Sequence, residues 1–343
     1  MRDTDLLHHE DIEIGRPVAL GRKTVTKEEI IAFARQFDPQ PMHLDEEAAK
    51  ATLTRGLCAS GFHTCAMMMR LVVDGLLGRV ASLGSPGVDE VRWIKPVRPG
   101  DILEARYTCT EKRVLASRPD VGLAKILVEM VKDTGEPVAT WRSNQLTRMR
   151  HPATAQPAPA KAARKPMPTL WDDGTVATAP VADIFFEDRR IGEVVDIGEH
   201  SFGKAEIVDF ARQFDPQPFH LDEEAAKTSL FGALCASGWH TASSFIRCVV
   251  TSRMALNATA RARGDRIAVY GPSPGFRNLL WFHPVFVGDT VSFRARLTEK
   301  VDLKSRPERG LLVNEVQGRN QNGTVVFAIT SQILAERREP YRA

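Results

Sequence analysis

The chain has 343 residues, of which 43% are hydrophobic and 26% are charged. This composition is typical of a folded globular protein and excludes a disordered, collagen-like or coiled-coil chain. The 46 Lys and Arg residues nearly balance the 43 Asp and Glu residues, and the net charge of +3 gives no general electrostatic footprint for nucleic acid or for an anionic membrane. We therefore expect neither as a partner.

The sequence shows neither a clear targeting segment nor a cysteine pattern typical of disulfides or zinc. No stretch approaches 18 uninterrupted apolar residues, and residues 1–15 lack the basic and apolar regions of a signal peptide. The five cysteines are odd in number and form no C-x-x-C pair, which fits neither a disulfide framework nor a zinc site. These features predict a reduced, cytoplasmic protein.

An internal repeat organises the sequence. Residues 33–50, FARQFDPQPMHLDEEAAK, return as residues 210–227, FARQFDPQPFHLDEEAAK, with a single difference. The same offset of 177 relates LCASG at 57–61 to LCASG at 234–238. Further on the offset becomes 188, and we place the eleven or so extra residues of the second copy near 257–268.

The two copies predict two domains and a linker. A Pro- and Ala-rich stretch with almost no apolar periodicity separates the copies, which is typical of a semi-extended linker. We therefore predict domains over 1–150 and 184–343, with a linker over 151–183. Duplication of a protein that once paired with itself predicts an intrachain pseudo-dimer. Pairing into a further homo-oligomer is left open.

Each copy predicts an α+β fold. In the first copy, a capping box formed by Thr26 and Glu29 opens a helix that must end at Asp38, because Pro39 follows. A nearly all-apolar run then predicts a long buried helix wrapped by an antiparallel sheet. In chain order the predicted elements are a strand at 16–25, helices at 26–38, 45–50 and 61–77, and strands at 87–97, 102–114, 122–132 and 137–147.

The most informative polar residues are Asp38 and His43, repeated as Asp215 and His220. They lie on a loop bracketed by prolines, which lowers the entropy cost of holding two side chains together. A desolvated Asp can act as a base, and a His five residues along can share protons with the same water. The alternative is an Asp that only ends a helix and a His at the surface. Near-identity of the block in two copies whose strands have diverged favours the functional interpretation.

A second candidate element precedes the buried helix in each copy. Ser60 and Gly61, with Ser237 and Gly238 in the second copy, leave backbone N–H groups open to an oxyanion at a helix N-terminus. Alternatively, the serine caps the helix and the glycine allows close packing, and both interpretations can hold together.

Other polar residues are weaker candidates. His43, Asp45, Glu46 and Glu47 have the donor types of a metal site, but consecutive acids at a helix start point in different directions, and we expect no metal. His63 and His240 are predicted to cap or line the pocket, and the methionines at 67–69 are predicted to lie in the core.

The motifs DPQPMH and DPQPFH, preceded by FARQF and followed by LDEEAA, ASG and a buried helix, resemble the MaoC-like dehydratase family of hotdog-fold (R)-specific enoyl-CoA hydratases. The resemblance implies two hotdog units side by side, with an acyl-CoA thioester entering along their interface. It also implies that an Asp and a His activate a water that adds across the C2–C3 double bond of an enoyl-CoA, or run the reverse dehydration. It implies no metal or redox cofactor, because CoA enters as part of the substrate.

Carried over residue by residue, the resemblance implies two dyads, two oxyanion sites and two further substrate-binding residues. The dyads are Asp38 with His43 and Asp215 with His220, the oxyanion sites are Ser60 with Gly61 and Ser237 with Gly238, and the further residues are Gln40 and Gln217. The family commonly has Asn where these two glutamines stand, which affects how the loop is held or how deep the acyl chain reaches. Retention of both dyads predicts two active sites and a short or medium acyl group.

Basic residues are expected to meet the CoA phosphates. Arg261, Arg263 and Arg266 in the predicted insertion are candidates, and a solvated loop is the alternative. Two rival functions stay open: a hotdog acyl-CoA thioesterase that delivers water to C1, and a non-catalytic acyl-CoA-binding module.

Overall fold

The computed structural model describes residues 6–152, 175–178 and 180–342. Residues 6–152 are called the first half here, and residues 180–342 the second half. The predicted linker falls largely outside the described residues, and the predicted domain boundaries stay a prediction.

The first half contains five strands and four α-helices. In chain order these are β1 (Pro17–Thr24), α1 (Lys27–Phe37), α2 (Pro41–Leu44), α3 (Glu46–Lys50), α4 (Gly61–Gly75), β2 (Gly87–Trp93), β3 (Ile102–Leu115), β4 (Arg118–Lys132) and β5 (Pro137–Arg148).

The second half repeats this order. Its elements are β6 (Val194–Ser201), α5 (Lys204–Phe214), α6 (Pro218–Leu221), α7 (Glu223–Lys227), α8 (Gly238–Ala262), β7 (Gly275–Trp281), β8 (Thr290–Asp302), β9 (Arg309–Asn320) and β10 (Val325–Glu336).

The capping box at the start of α1 is confirmed. The Thr26 hydroxyl accepts a hydrogen bond from the Glu29 N–H at 3.1 Å, and the Glu29 carboxylate accepts one from the Thr26 N–H at 3.0 Å. The helix ends at Phe37, one residue before Asp38, as Pro39 requires. Its apolar stripe is buried, so that the end of α1 is held firmly against the core.

The central helices α4 and α8 are buried as predicted, and they differ in length. α4 has 15 residues, whereas α8 has 25. The extra residues of the second copy therefore lengthen a helix from about Arg253 onwards, slightly earlier than the predicted 257–268. Gly264 is the first Gly or Pro after Gly238, which explains why the helix continues across most of the insertion.

One ten-stranded sheet runs through both halves, in the order β1-β3-β4-β5-β2-β7-β10-β9-β8-β6. All neighbouring strands are antiparallel, and β2 joins β7 at the centre with Val91 opposite Phe276. Beneath the sheet, α1 packs against α5 through edge-to-face contacts of Phe37 with Phe210 at 5.6 Å and of Phe33 with Phe214 at 5.7 Å. Of two core clusters among the described residues, the larger contains residues of both halves. The halves therefore form an intrachain pseudo-dimer.

Two further features bear on the expectations from the sequence. All five cysteines are buried and free. Within the described ranges, no helix is long and apolar enough to cross a membrane.

Candidate active site

Asp38 and His43 meet because the loop between them folds into a short helix. Asp38 is the C-cap residue that follows α1, and Pro41 starts α2, which turns His43 back towards the carboxylate. The His43 Nε2 lies 3.6 Å from the Asp38 Oδ2. Both residues are buried, at 3% exposure for Asp38 and 8% for His43. The sequence predicted only a turn here, since four residues are too few for a helical period to show.

Both carboxylate oxygens of Asp38 are held in place. The Ser60 hydroxyl donates to Oδ2 at 2.6 Å, and the Gln40 side-chain amide donates to Oδ1 at 2.8 Å. The same Ser60 hydroxyl accepts from the Phe62 N–H at 3.2 Å, and it therefore also caps α4 as predicted. The structure thus places Ser60 and Gln40 against the carboxylate, while substrate contact by either residue stays a prediction.

His43 is oriented by a backbone carbonyl. Its Nδ1 lies 2.7 Å from the carbonyl oxygen of Cys58, which can only accept, so that Nδ1 carries the proton and Nε2 faces Asp38. Burial acts to lower the pKa of His43, but attraction to the Asp38 charge and the contacts with Cys58 outweigh it and raise the pKa to about 9. At neutral pH the dyad is therefore an ion pair.

The second half repeats this geometry. His220 Nε2 lies 3.6 Å from Asp215 Oδ2, and the carboxylate accepts from Ser237 at 2.6 Å and from Gln217 at 2.8 Å. The carbonyl of Cys235 lies 2.8 Å from the His220 Nδ1. Both dyads are therefore assembled.

Gly61 and Gly238 begin the central helices beneath tryptophan rings. A Cβ at Gly61 would lie 2.5 Å from the Trp93 ring, and one at Gly238 would lie 2.3 Å from the Trp281 ring. The predicted packing role is confirmed. Each glycine also heads its helix, where the N–H has no acceptor inside the helix and can face an oxyanion.

A cavity of about 220 Å³ lies between the two halves at the second dyad, and we call it the C-terminal cavity. The second half supplies the dyad and the start of α8, and the first half supplies side chains of α4 and β5. Its lining includes Asp215, His220, Gly238, Trp239, Trp281, Met69, Trp141, Ser143 and Gln145. The three consecutive methionines are buried as predicted, and Met69 borders this cavity.

The prediction that His63 and His240 line the pocket is wrong. Both are fully buried in the aromatic core, where His63 stacks on Phe33 at 4.6 Å and His240 stacks on Phe210 at 4.7 Å. Their ring nitrogens have no hydrogen-bond partner in the part of the chain that is described. Burial lowers the pKa of each to about 3, so that both are neutral. Helix periodicity could not show this, because α4 and α8 are apolar on nearly every side.

The three acidic residues after the first dyad point in different directions, as predicted, and each has its own partner. Asp45 caps α3 by accepting from the Ala48 N–H at 2.7 Å, Glu46 pairs with Lys27, and Glu47 pairs with Lys50.

One three-residue group in the described part of the second half has metal-ligand types, namely His200, Glu206 and His240. The His200 Nε2 lies 3.1 Å from a Glu206 oxygen. The first half has Lys23 and Glu29 at the equivalent positions, joined as an ion pair at 2.7 Å. The His200–Glu206 contact therefore has the same place in the second half as the Lys23–Glu29 ion pair has in the first half.

The arginines of the insertion lie apart from the dyads. Arg263 pairs with Asp265, and Arg266 pairs with Glu336 and covers the Phe185 ring. None of the three, Arg261 included, is among the described residues that line the C-terminal cavity.

Sequence reasoning missed several residues at the site. These are the cysteine carbonyls, the tryptophans over the glycines, and two arginines, Arg70 and Arg247, that reach across the pseudo-dimer. The repeat offers a signal for each, because the LCASG block, the tryptophans and the arginines occur in both copies.

Comparison with solved structures defines the class of fold. A MaoC domain protein dehydratase from Chloroflexus aurantiacus J-10-fl superimposes with a TM-score of 0.76 over 99% of this chain and 100% of that one, at 16% identity. A Mycobacterium tuberculosis protein whose structure has a double hotdog fold superimposes with a TM-score of 0.69 over 98% of this chain and 100% of that one, at 14% identity. The chain is a double hotdog.

Sequence comparison then shows the family. The family model for the MaoC-like domain matches residues 11–130 and 186–318, which together make up more than half of the chain. The chain is also 32% identical over 120 residues to the uncharacterized protein YdeM of Bacillus subtilis, a match that covers 35% of this chain and 83% of that protein. The chain belongs to the MaoC-like dehydratase family.

Proposed function

We propose that the protein is a hydro-lyase that adds water across the C2–C3 double bond of an enoyl-CoA to give an (R)-3-hydroxyacyl-CoA, or catalyses the reverse dehydration. The observation that supports this most directly is the assembled Asp–His dyad in both halves. A non-catalytic binder needs shape and phosphate contacts, but it has no need of two buried proton-transfer pairs.

In the hydration direction, one water bridges the carboxylate and the imidazolium from the side. Asp38 Oδ2 and His43 Nε2 lie 3.6 Å apart, close enough for both to contact the same water. Asp38 takes a proton from this water as its oxygen bonds to C3. The π electrons move to the thioester oxygen, where the Gly61 N–H and the start of α4 stabilise the enolate. His43 Nε2 then gives its proton to C2, and the proton on Asp38 returns to His43. No metal or redox cofactor takes part in these steps.

The carboxylate needs support to act as a base in a buried site. Ser60 and Gln40 donate to its two oxygens, which fixes the carboxylate in position and limits its rotation. Equivalent steps involve Asp215, His220 and Gly238 in the second half.

The test is loss of the enoyl-thioester ultraviolet absorbance when the purified protein is mixed with crotonyl-CoA. We compare the wild type with Asp38→Asn, Asp215→Asn and the double variant. Asp120→Asn, at an exposed carboxylate paired with Arg118, serves as the matched control.

We expect hydration by the wild type and the control, about half of the activity in each single variant, and none in the double variant. Release of free CoA thiol without loss of the double bond would replace the proposal with a thioesterase. No reaction with several acyl-chain lengths would leave a binding module.

A further inference from the structure

Three side chains with metal-ligand donors meet at the start of α5, and we call them the His–Glu–His group. His200 lies on β6, Glu206 in the first turn of α5 and His240 in the first turn of α8. Their donor atoms all lie within 4.8 Å of one another, and the His200 Nε2 is 3.1 Å from the Glu206 Oε1. Asp215 follows the opposite end of α5, so that the group is separate from the second dyad.

His240 is the member of the group that lacks partners. Its side chain is fully buried, and neither ring nitrogen has a hydrogen-bond partner within the described residues. Aromatic rings surround it, with Phe210 stacked at 4.7 Å and Phe202 perpendicular at 5.2 Å. A buried polar nitrogen without a partner is costly. Because protein encloses this nitrogen, only an ion held inside the group itself, between the three donor atoms, reaches it.

The other two side chains provide the path for an ion. The side chains of His200 and Glu206 are 17% and 29% exposed. Glu206 accepts from the His200 Nε2 and from the Gly203 N–H at 3.0 Å, in both cases through Oε1. Its Oε2 has no hydrogen bond to any residue that the structure describes, so that Glu206 can bind an ion and still cap α5.

The first half offers an internal comparison. The repeat offset of 177 pairs His200 and His240 with Lys23 and His63, and a glutamate occupies the third position in both halves. His63 is buried and unpartnered like His240. Burial first, and the Lys23 charge second, lower the pKa of His63 to about 3, so that the Lys23 charge acts on the ring. A protonated lysine has no lone pair for a metal. The two groups therefore differ by one ligand.

The donor set and its spacing suit a transition metal. Imidazole is a ligand for Zn²⁺ and its neighbours in the periodic table, whereas Mg²⁺ and Ca²⁺ prefer oxygen. Tetrahedral Zn²⁺ with bonds of about 2.0–2.1 Å holds its ligand atoms about 3.4 Å apart, so that the donor atoms must close by at most about 1.4 Å. The ring centroids of His200 and His240 are 6.3 Å apart, and His200 lies on the edge strand β6, where its ring has room to move.

We propose that His200, Glu206 and His240 bind one Zn²⁺ ion, which ties β6, α5 and α8 together in the second half only. Water completes the coordination, as in other zinc sites with three protein ligands. The ion is structural and takes no part in hydration, so that the inference is independent of the proposed function. An ion that binds the folded chain stabilises it by mass action.

Zinc titration of the full chain, purified without a His tag and stripped of metal with a chelator, tests the inference. Calorimetry gives the number of Zn²⁺ ions per chain, and thermal unfolding gives the stabilisation. His200→Lys copies the first half and keeps an ion pair with Glu206, so that we expect it to fold. Lys23→His makes the converse change in the first half, and the exposed His151→Gln is the control.

We expect saturation at one Zn²⁺ ion per chain, and a higher unfolding temperature with Zn²⁺, in the wild type and in the control. His200→Lys should weaken zinc binding more than about tenfold and remove the rise in unfolding temperature. Lys23→His should increase the number of bound ions to two. Mg²⁺ at the same concentration should leave the unfolding temperature unchanged.

Two results would overturn the inference. One is a wild type that shows no saturable zinc binding. The other is zinc that binds His200→Lys as tightly as the wild type, which would be an adventitious ion only, held elsewhere on the chain.

Discussion

Arg70, on the central helix of the first half, donates to the main-chain carbonyl oxygen of Arg212 at 2.9 Å. That carbonyl lies at the end of α5, three residues before Asp215. The mirror contact joins Arg247 to the carbonyl oxygen of Gln36, just before Asp38. A cation at a helix C-terminus satisfies free carbonyls and the helix dipole. Each half therefore secures the helix end that carries the other half's carboxylate.

We expect Arg70→Met to weaken the second site more than the first. In an Asp38→Asn background, where only the second dyad is intact, kcat/KM should fall about three- to tenfold, because the helix end loses a charged hydrogen bond. In an Asp215→Asn background the same substitution should have little effect. Arg16→Met, at an exposed ion pair with Glu13, is the control. An equal loss at both sites would point to general destabilisation instead.

Ser60→Ala should lower kcat at the first site about ten- to a hundredfold. The hydroxyl donates to a charged carboxylate in a buried site, where such a bond contributes about 1.5–3 kcal/mol. The measurement is crotonyl-CoA hydration in an Asp215→Asn background, well below the unfolding temperature. Ser244→Ala removes a buried hydroxyl that has no partner among the described residues, and it should leave the rate unchanged. Unchanged kcat in Ser60→Ala would show that Ser60 acts only as the N-cap of α4.

Gly61→Ala should destabilise the fold by about 1–3 kcal/mol. The new methyl group would lie 2.5 Å from the ring of the partly buried Trp93, which packs against the core and must shift. Urea unfolding measures this free energy. Gly78→Ala is the matched control, because a Cβ at Gly78 would meet only the Val73 carbonyl oxygen, at an ordinary contact distance of 3.7 Å. A Gly61→Ala variant as stable as the control would contradict the packing role.

The first site should lose activity as the pH rises through about 9. The pKa of His43 is raised from 6.5 to about 9, and above that value Nε2 has no proton to give to C2. A raised pKa also means that the dyad stabilises the folded state fully below pH 6.5 and loses this contribution between pH 6.5 and 9. The pH profile of an Asp215→Asn variant, together with unfolding of His43→Gln, checks both statements. A rate that stays flat to pH 10 would contradict the ion-pair dyad.

The buried rings of His63 and His240 predict sensitivity to acid. Burial lowers the pKa of each to about 3, whereas the unfolded chain binds protons near pH 6.5. The unfolded state therefore takes up protons first, and the free energy of unfolding should decrease as the pH falls from 6.5 towards 3. His63→Phe should make this slope shallower, and the exposed His151→Gln should not. A parallel slope in His63→Phe and the wild type would count against this assignment.

Local sequence was sufficient for much of the fold and for the dyads. The capping box of Thr26 and Glu29, the apolar run of α4 and the turn residues between strands act over a few neighbouring residues, so that their structural consequences can be predicted from spacing alone. The repeated block with Asp38 and His43 identified both candidate sites, since a short Pro-bracketed loop holds both residues.

Only the tertiary structure determined which residues contact one another across the pseudo-dimer and within its core. Arg70 contacts Arg212, and Gly61 lies under Trp93, although the partners are distant in sequence. His63 lies among phenylalanines on a helix whose faces all look apolar. The repeat aligns Gln145 with Ile333, but the two residues line different cavities, which follows from packing two halves into one core. Such contacts depend on three-dimensional packing, which spacing along the chain does not encode.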